Sequence, residues 1–60
     1  MEDKYILFVN ALKAMLRLKK AIDLGFPASY IDKLDAQFGK HIDQIENRNL
    51  MDQFADFVLN

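Results

Sequence analysis

Lys13, Arg17 and Lys20 recur at intervals of four and three residues, which stacks them along one stripe of an α-helix, with Lys19 beside them. Cations aligned in this way can neutralise successive phosphates or the carboxylates of an acidic protein. More commonly such a stripe is only a solvated helix face. A DNA-reading helix also brings Asn, Gln or Ser to base edges near its N-terminus. Here Asp32 and Asp35 occupy the first turns of the second helix, where they would repel phosphate. Eight basic and nine acidic residues nearly cancel, without the positive surplus of a nucleic-acid binder. Nucleic acid is therefore the weaker reading for Lys13, Arg17, Lys19 and Lys20, and an acidic partner or a solvated face the stronger.

Catalysis and metal binding have little to work with. There is no Cys, which removes disulfides, thiolate metal sites and sulfur nucleophiles together. His41 is the only imidazole, so one chain holds no His-rich metal site. Its place at the edge of an apolar helix face makes it a partly buried side chain hydrogen-bonded to a neighbour. A pH-sensing or metal-binding role beside Asp43 is the alternative. Asp32, Asp35, Asp43, Glu46, Asp52 and Asp56 offer helical spacings, but a catalytic pair needs a water-poor pocket that separates two pKa values. No Gly-rich phosphate loop or nucleophile–base pattern is present. The chain reads as a non-enzyme with no cofactor.

The segment "NLMDQFADFVLN" at the end raises a different possibility. Met51, Phe54, Phe57 and Val58 fall at helical spacing with Asp52 and Asp56 beside them, the pattern of a helix that inserts apolar anchors into a groove. The plainer reading is that these residues complete the chain's own core or a dimer interface.

The elements that must position these residues are helical. Helix formers run from about residue 3 to 24, and Gly25 followed by Pro27 supplies a left-handed stop and a residue that cannot continue the helix. Around this helix Tyr5, Phe8, Val9, Leu12, Met15, Leu16, Leu18 and Ile22 spread over roughly two thirds of the circumference. That is more than one neighbour can cover. Lys19 interrupts the apolar sector and is expected to extend its ammonium outward.

A second helix over about 28–46 opens near Pro27, with Ser29 and Asp32 at the spacing of a capping box. Ile31, Leu34, Phe38, Ile42 and Ile45 form its apolar face, flanked by Tyr30 and His41. Continued straight, the same helix would turn Leu50, Met51, Phe54 and Phe57 to its opposite face. A break near Asn47–Asn49 resolves this, with Asn49 and Asp52 repeating the cap spacing and a short third helix over about 50–59 folding back. A continuous helix with two contact faces is the alternative.

The Gly25–Ile45 segment resembles one half of the small helical-hairpin phosphatases of sporulation response regulators in the spacing of Ile31, Leu34 and Phe38. The family's Ser-Gln-Glu-Leu-Asp signature falls on Asp35–Gly39, which reads Asp-Ala-Gln-Phe-Gly. The acid is missing, so the resemblance implies no activity.

The expected architecture is a single all-α domain over residues 1–60, an antiparallel hairpin plus a short C-terminal helix. A domain this small buries only about 60% of its unfolded surface, so association is a natural supplement. The chain is expected to dimerise into a helical bundle, with a monomeric three-helix bundle and dependence on another protein as alternatives. Phe8, Leu12, Met15, Met51, Phe54, Phe57 and Val58 are the candidate protein-interaction residues. The expected function is that of a regulator, adaptor or inhibitor that occupies a partner's surface. A nucleic-acid-associated regulator and a purely structural subunit are the alternatives. No run approaches the ~20 apolar residues of a membrane span, and the five-residue stretch Tyr5–Val9 follows Glu2, Asp3 and Lys4, which is not a positive leader. With no Cys, a cytoplasmic location is expected.

Overall fold

The computed structural model describes residues 4–60, and within them the chain is all-helical: α1 (Lys4–Asp23), α2 (Ala28–Asn47) and α3 (Met51–Leu59). Each boundary lies within one residue of the one read from the sequence, except the expected start at Asp3, which falls outside the described residues.

The two long helices end in the same way. Gly25 takes a left-handed φ of 72°, its N–H donates to the Ile22 carbonyl, and the Phe26 N–H donates to Ala21. At the end of α2 Asn49 takes a φ of 57°, its N–H donates to Glu46, and the Leu50 N–H donates to Ile45. This paired pattern satisfies helix-terminal carbonyls and turns the chain sharply away. It produces the break expected at Asn47–Asn49, and the straight-helix alternative is absent.

Both proposed side-chain caps are corrected. Helix α2 starts too early for Ser29 to cap it: Pro27, at ψ 148° and two residues before Ser29, is the N-cap residue, and no side chain caps the helix. At α3 the N-cap residue is Leu50, again without a side-chain cap. Asn49 serves the preceding helix instead, because it tolerates the left-handed conformation.

Small residues govern the approach of α1 to α2. Ala11, Ala14 and Ala21 are buried along one line of α1, which lets the backbone of α2 come close. From α2, Leu34 and Ile45 are buried, with Ile31, Phe38, His41 and Ile42 half-buried around them and the expected polar residues exposed. Phe8, at 1% exposure, meets Ala11, Ile45 and Phe54, and Leu7, Ile42, Leu50, Phe57 and Val58 pack around this cluster. Helix α3 lies against the N-terminal part of α1. Its Phe54 and Phe57 rings stand 5.6 and 5.5 Å from that of Phe8, and Gln53 accepts a 2.8 Å hydrogen bond from the Lys4 ammonium.

Candidate protein-interaction surface

Helix α1 needed neighbours on more than one side, and within the chain it receives them on only part of its circumference. Tyr5, Ile6 and Leu16 remain more than half exposed, and Val9 is exposed beside them. Tyr5, Val9, Leu12 and Leu16 are spaced four, three and four residues apart, the repeat that lines one seam of a two-helix contact. Leu12 is half-buried and the other three form an outward ridge. Beside it Tyr5, Ile6, Val9 and Asn10 line a shallow apolar depression of about 270 Å³. The ridge ends where Lys19 and Asp23, at the next positions of the same repeat, pair at 3.0 Å in solvent. Lys19 therefore extends outward as expected, held by Asp23, an exposed pairing worth only a few tenths of a kcal/mol.

The candidates read from the sequence separate. Phe8 and Phe54 lie in the intramolecular core and present nothing to a partner. Phe57 and Val58 are half-buried against the same cluster, and Met15 and Leu12 are half-buried on α1. Only Met51 of the seven is exposed. Helix α3 turns Phe54 and Phe57 onto its own chain.

Lys13, Arg17 and Lys20 are exposed in line and form no ion pair among the described residues. Arg17 and Lys20 form one wall of an open cleft of about 390 Å³ at the α1–α2 turn. Its floor is Ala21 and Leu34, and its rim is Leu24, Phe26 and Tyr30, all exposed, with the Phe26 and Tyr30 rings edge to face at 5.4 Å. Of these three, the sequence marked only Tyr30, as a flank of the apolar face of α2, and gave Leu24 and Phe26 no role in a site. The signal was Gly25 itself, since the residue after a left-handed helix stop turns back over the last helical turn.

Helical register explains why this cleft is basic. Around α1, the Tyr5 and Phe8 flank faces α3, and the Arg17, Lys20 and Leu24 flank lies on the opposite side of the line of contact with α2. Around α2, the flank shared with Tyr30 carries Lys33, Gln37 and Lys40 and no acid, whereas Asp32, Asp35, Asp43 and Glu46 fall on the other. One groove of the hairpin is edged by cations and empty of helix; the other holds α3.

His41 is half-buried as expected, but its Nδ1 is buried without the expected hydrogen-bond partner. Among the described residues no cluster of three or more His, Asp or Glu is placed to hold a metal ion, and no helix is long and apolar enough to cross a membrane. No protein-family model matches the sequence, and comparison with curated proteins and with solved structures finds no similar chain.

Proposed function

We propose that this chain is a small cytoplasmic interaction module, a regulator, adaptor or inhibitor that acts by occupying the surface of another protein, and that it pairs with a second copy of itself. The observation that carries this reading is the exposed ridge Tyr5–Val9–Leu16 on α1. Soluble monomers seldom leave aligned apolar residues on a regular helix face without use. The heptad-like spacing fits a helix partner, and a 60-residue chain gains much from sharing such a surface.

Self-association is tested by sedimentation equilibrium across a concentration series. The expected mass is twice 7.0 kDa, falling to 7.0 kDa in a Val9→Glu, Leu16→Glu variant whose helical circular dichroism is unchanged. A compact monomer throughout the micromolar range would overturn the pairing. The exposed line Lys13–Arg17–Lys20 supports a second reading, a nucleic-acid-associated regulator. It requires an Arg17→Glu, Lys20→Glu variant to lose retention on DNA.

A further inference from the structure

We propose that the basic groove between α1 and α2, on the side away from α3, receives an acidic amphipathic helix of a partner protein. This rests on the reading of the chain as an interaction module and specifies the partner's chemistry.

Three observations converge. The hairpin already shows that such a groove can hold a helix: α3 lies in the other one, seated through Phe54, Phe57 and Val58. The open groove carries positive charge. Arg17 and Lys20 line its α1 wall, Lys13 continues the same helical stripe one turn before Arg17, and no acid opposes them from the facing flank of α2. Acids at the same four-and-three spacing on an incoming helix can meet these cations in register. Finally, the cleft at the turn has an apolar floor. Large aliphatic or aromatic side chains from the partner fit over Ala21 and Leu34, within the rim of Leu24, Phe26 and Tyr30.

A nucleic-acid strand suits this site less well. Base stacking requires an open ring face, and Phe26 and Tyr30 are inclined at 67° and packed edge to face rather than set as parallel platforms. The aliphatic floor offers a base or a phosphate no polar partner.

The test uses the full chain and a fluorescent synthetic peptide of about four helical turns, with Leu at core spacing and Glu on the adjoining stripe. Anisotropy titrations compare it with the same peptide carrying Gln for Glu, and with a single-stranded oligothymidylate. The Glu peptide is expected to bind at least about tenfold more tightly than the Gln peptide and the oligonucleotide. Arg17→Glu, Lys20→Glu is expected to reduce its affinity at least tenfold, and Tyr30→Ser to weaken it without loss of helix content. Equal affinity for the Glu and Gln peptides, tighter binding of the oligonucleotide, or indifference to the Arg17 and Lys20 changes overturns the proposal. A neutral Val9→Gln, Leu16→Gln variant separates the two readings, because it roughens the ridge without placing an acid four residues before Lys13 and Lys20. Loss of dimer mass with peptide binding intact would place the second copy on the ridge and the acidic helix in the groove. A dimer that ignores every peptide would end the groove proposal and leave self-association standing.

Discussion

The ring of Phe8, near the start of α1, lies 5.6 Å from that of Phe54 in α3, inclined at 49°, and both are almost wholly buried. Ile45 of α2 reaches the same cluster, so one aromatic side chain ties all three helices together. Replacing Phe54 by Ala removes a buried ring at a cost of about 3–5 kcal/mol, comparable to the whole stability of so small a domain. Thermal melting followed by circular dichroism is expected to show loss of the cooperative transition at physiological temperature. A variant that melts as the parent does would remove Phe54 from the core.

Leu59 lies five residues further along the same helix and is 83% exposed. Leu59→Asp is expected to change stability by no more than about 0.5 kcal/mol, since nothing in the chain covers it. The contrast between Phe54 and Leu59, read by urea unfolding, checks the orientation of α3 directly.

The two left-handed residues respond oppositely to substitution. Gly25→Ala places a Cβ in an unfavourable conformation and costs about 1–2 kcal/mol, although no atom lies within 4 Å of that Cβ. Asn49→Gly relieves a smaller version of the same strain and is expected to gain a few tenths of a kcal/mol to about 1. Denaturant midpoints that move together for the two variants would contradict the shared geometry.

Gly39 sits within α2, where glycine weakens a helix, and a Cβ there meets nothing within 4 Å. Gly39→Ala is expected to stabilise the chain by about 0.5–1 kcal/mol, raising the melting temperature by several degrees. A lower melting temperature would mean that the position is crowded.

Salt distinguishes the two candidate contacts. Pairing through Tyr5, Val9 and Leu16 is expected not to weaken between low and physiological ionic strength, because the side chains that make the contact are apolar. Binding in the groove is expected to weaken over the same range as counterions screen Lys13, Arg17 and Lys20. Sedimentation and anisotropy at two salt concentrations measure both effects.

Much of the fold was legible because local chemistry and periodicity agreed. Gly25 and Pro27 can only end one helix and begin another, and the switch of apolar face at Leu50 demanded a break that Asn49 supplies. The excess of apolar surface on α1 was legible for the same reason. The caps were misread because Ser29 and Asn49 suit more than one role, and tertiary geometry chose for them. The basic groove was not legible at all. Its existence depends on which flank of the hairpin α3 covers, and that follows from the meeting of Phe8 with Phe54, far apart in the sequence. Phe26 and Tyr30 acquire their significance only once that choice leaves them bare.

The contact between Phe8 and Phe54 also has a consequence in time. A ribosome adding about 5–20 residues per second needs several seconds to proceed from one to the other. A helix forms within about a microsecond. Until α3 is made, the Phe8 flank of α1 has nothing of its own chain to lie against, even once α2 has closed on the alanine line. Any protein that binds its bare flank is best placed to do so during synthesis, before the last nine-residue helix arrives to take its share.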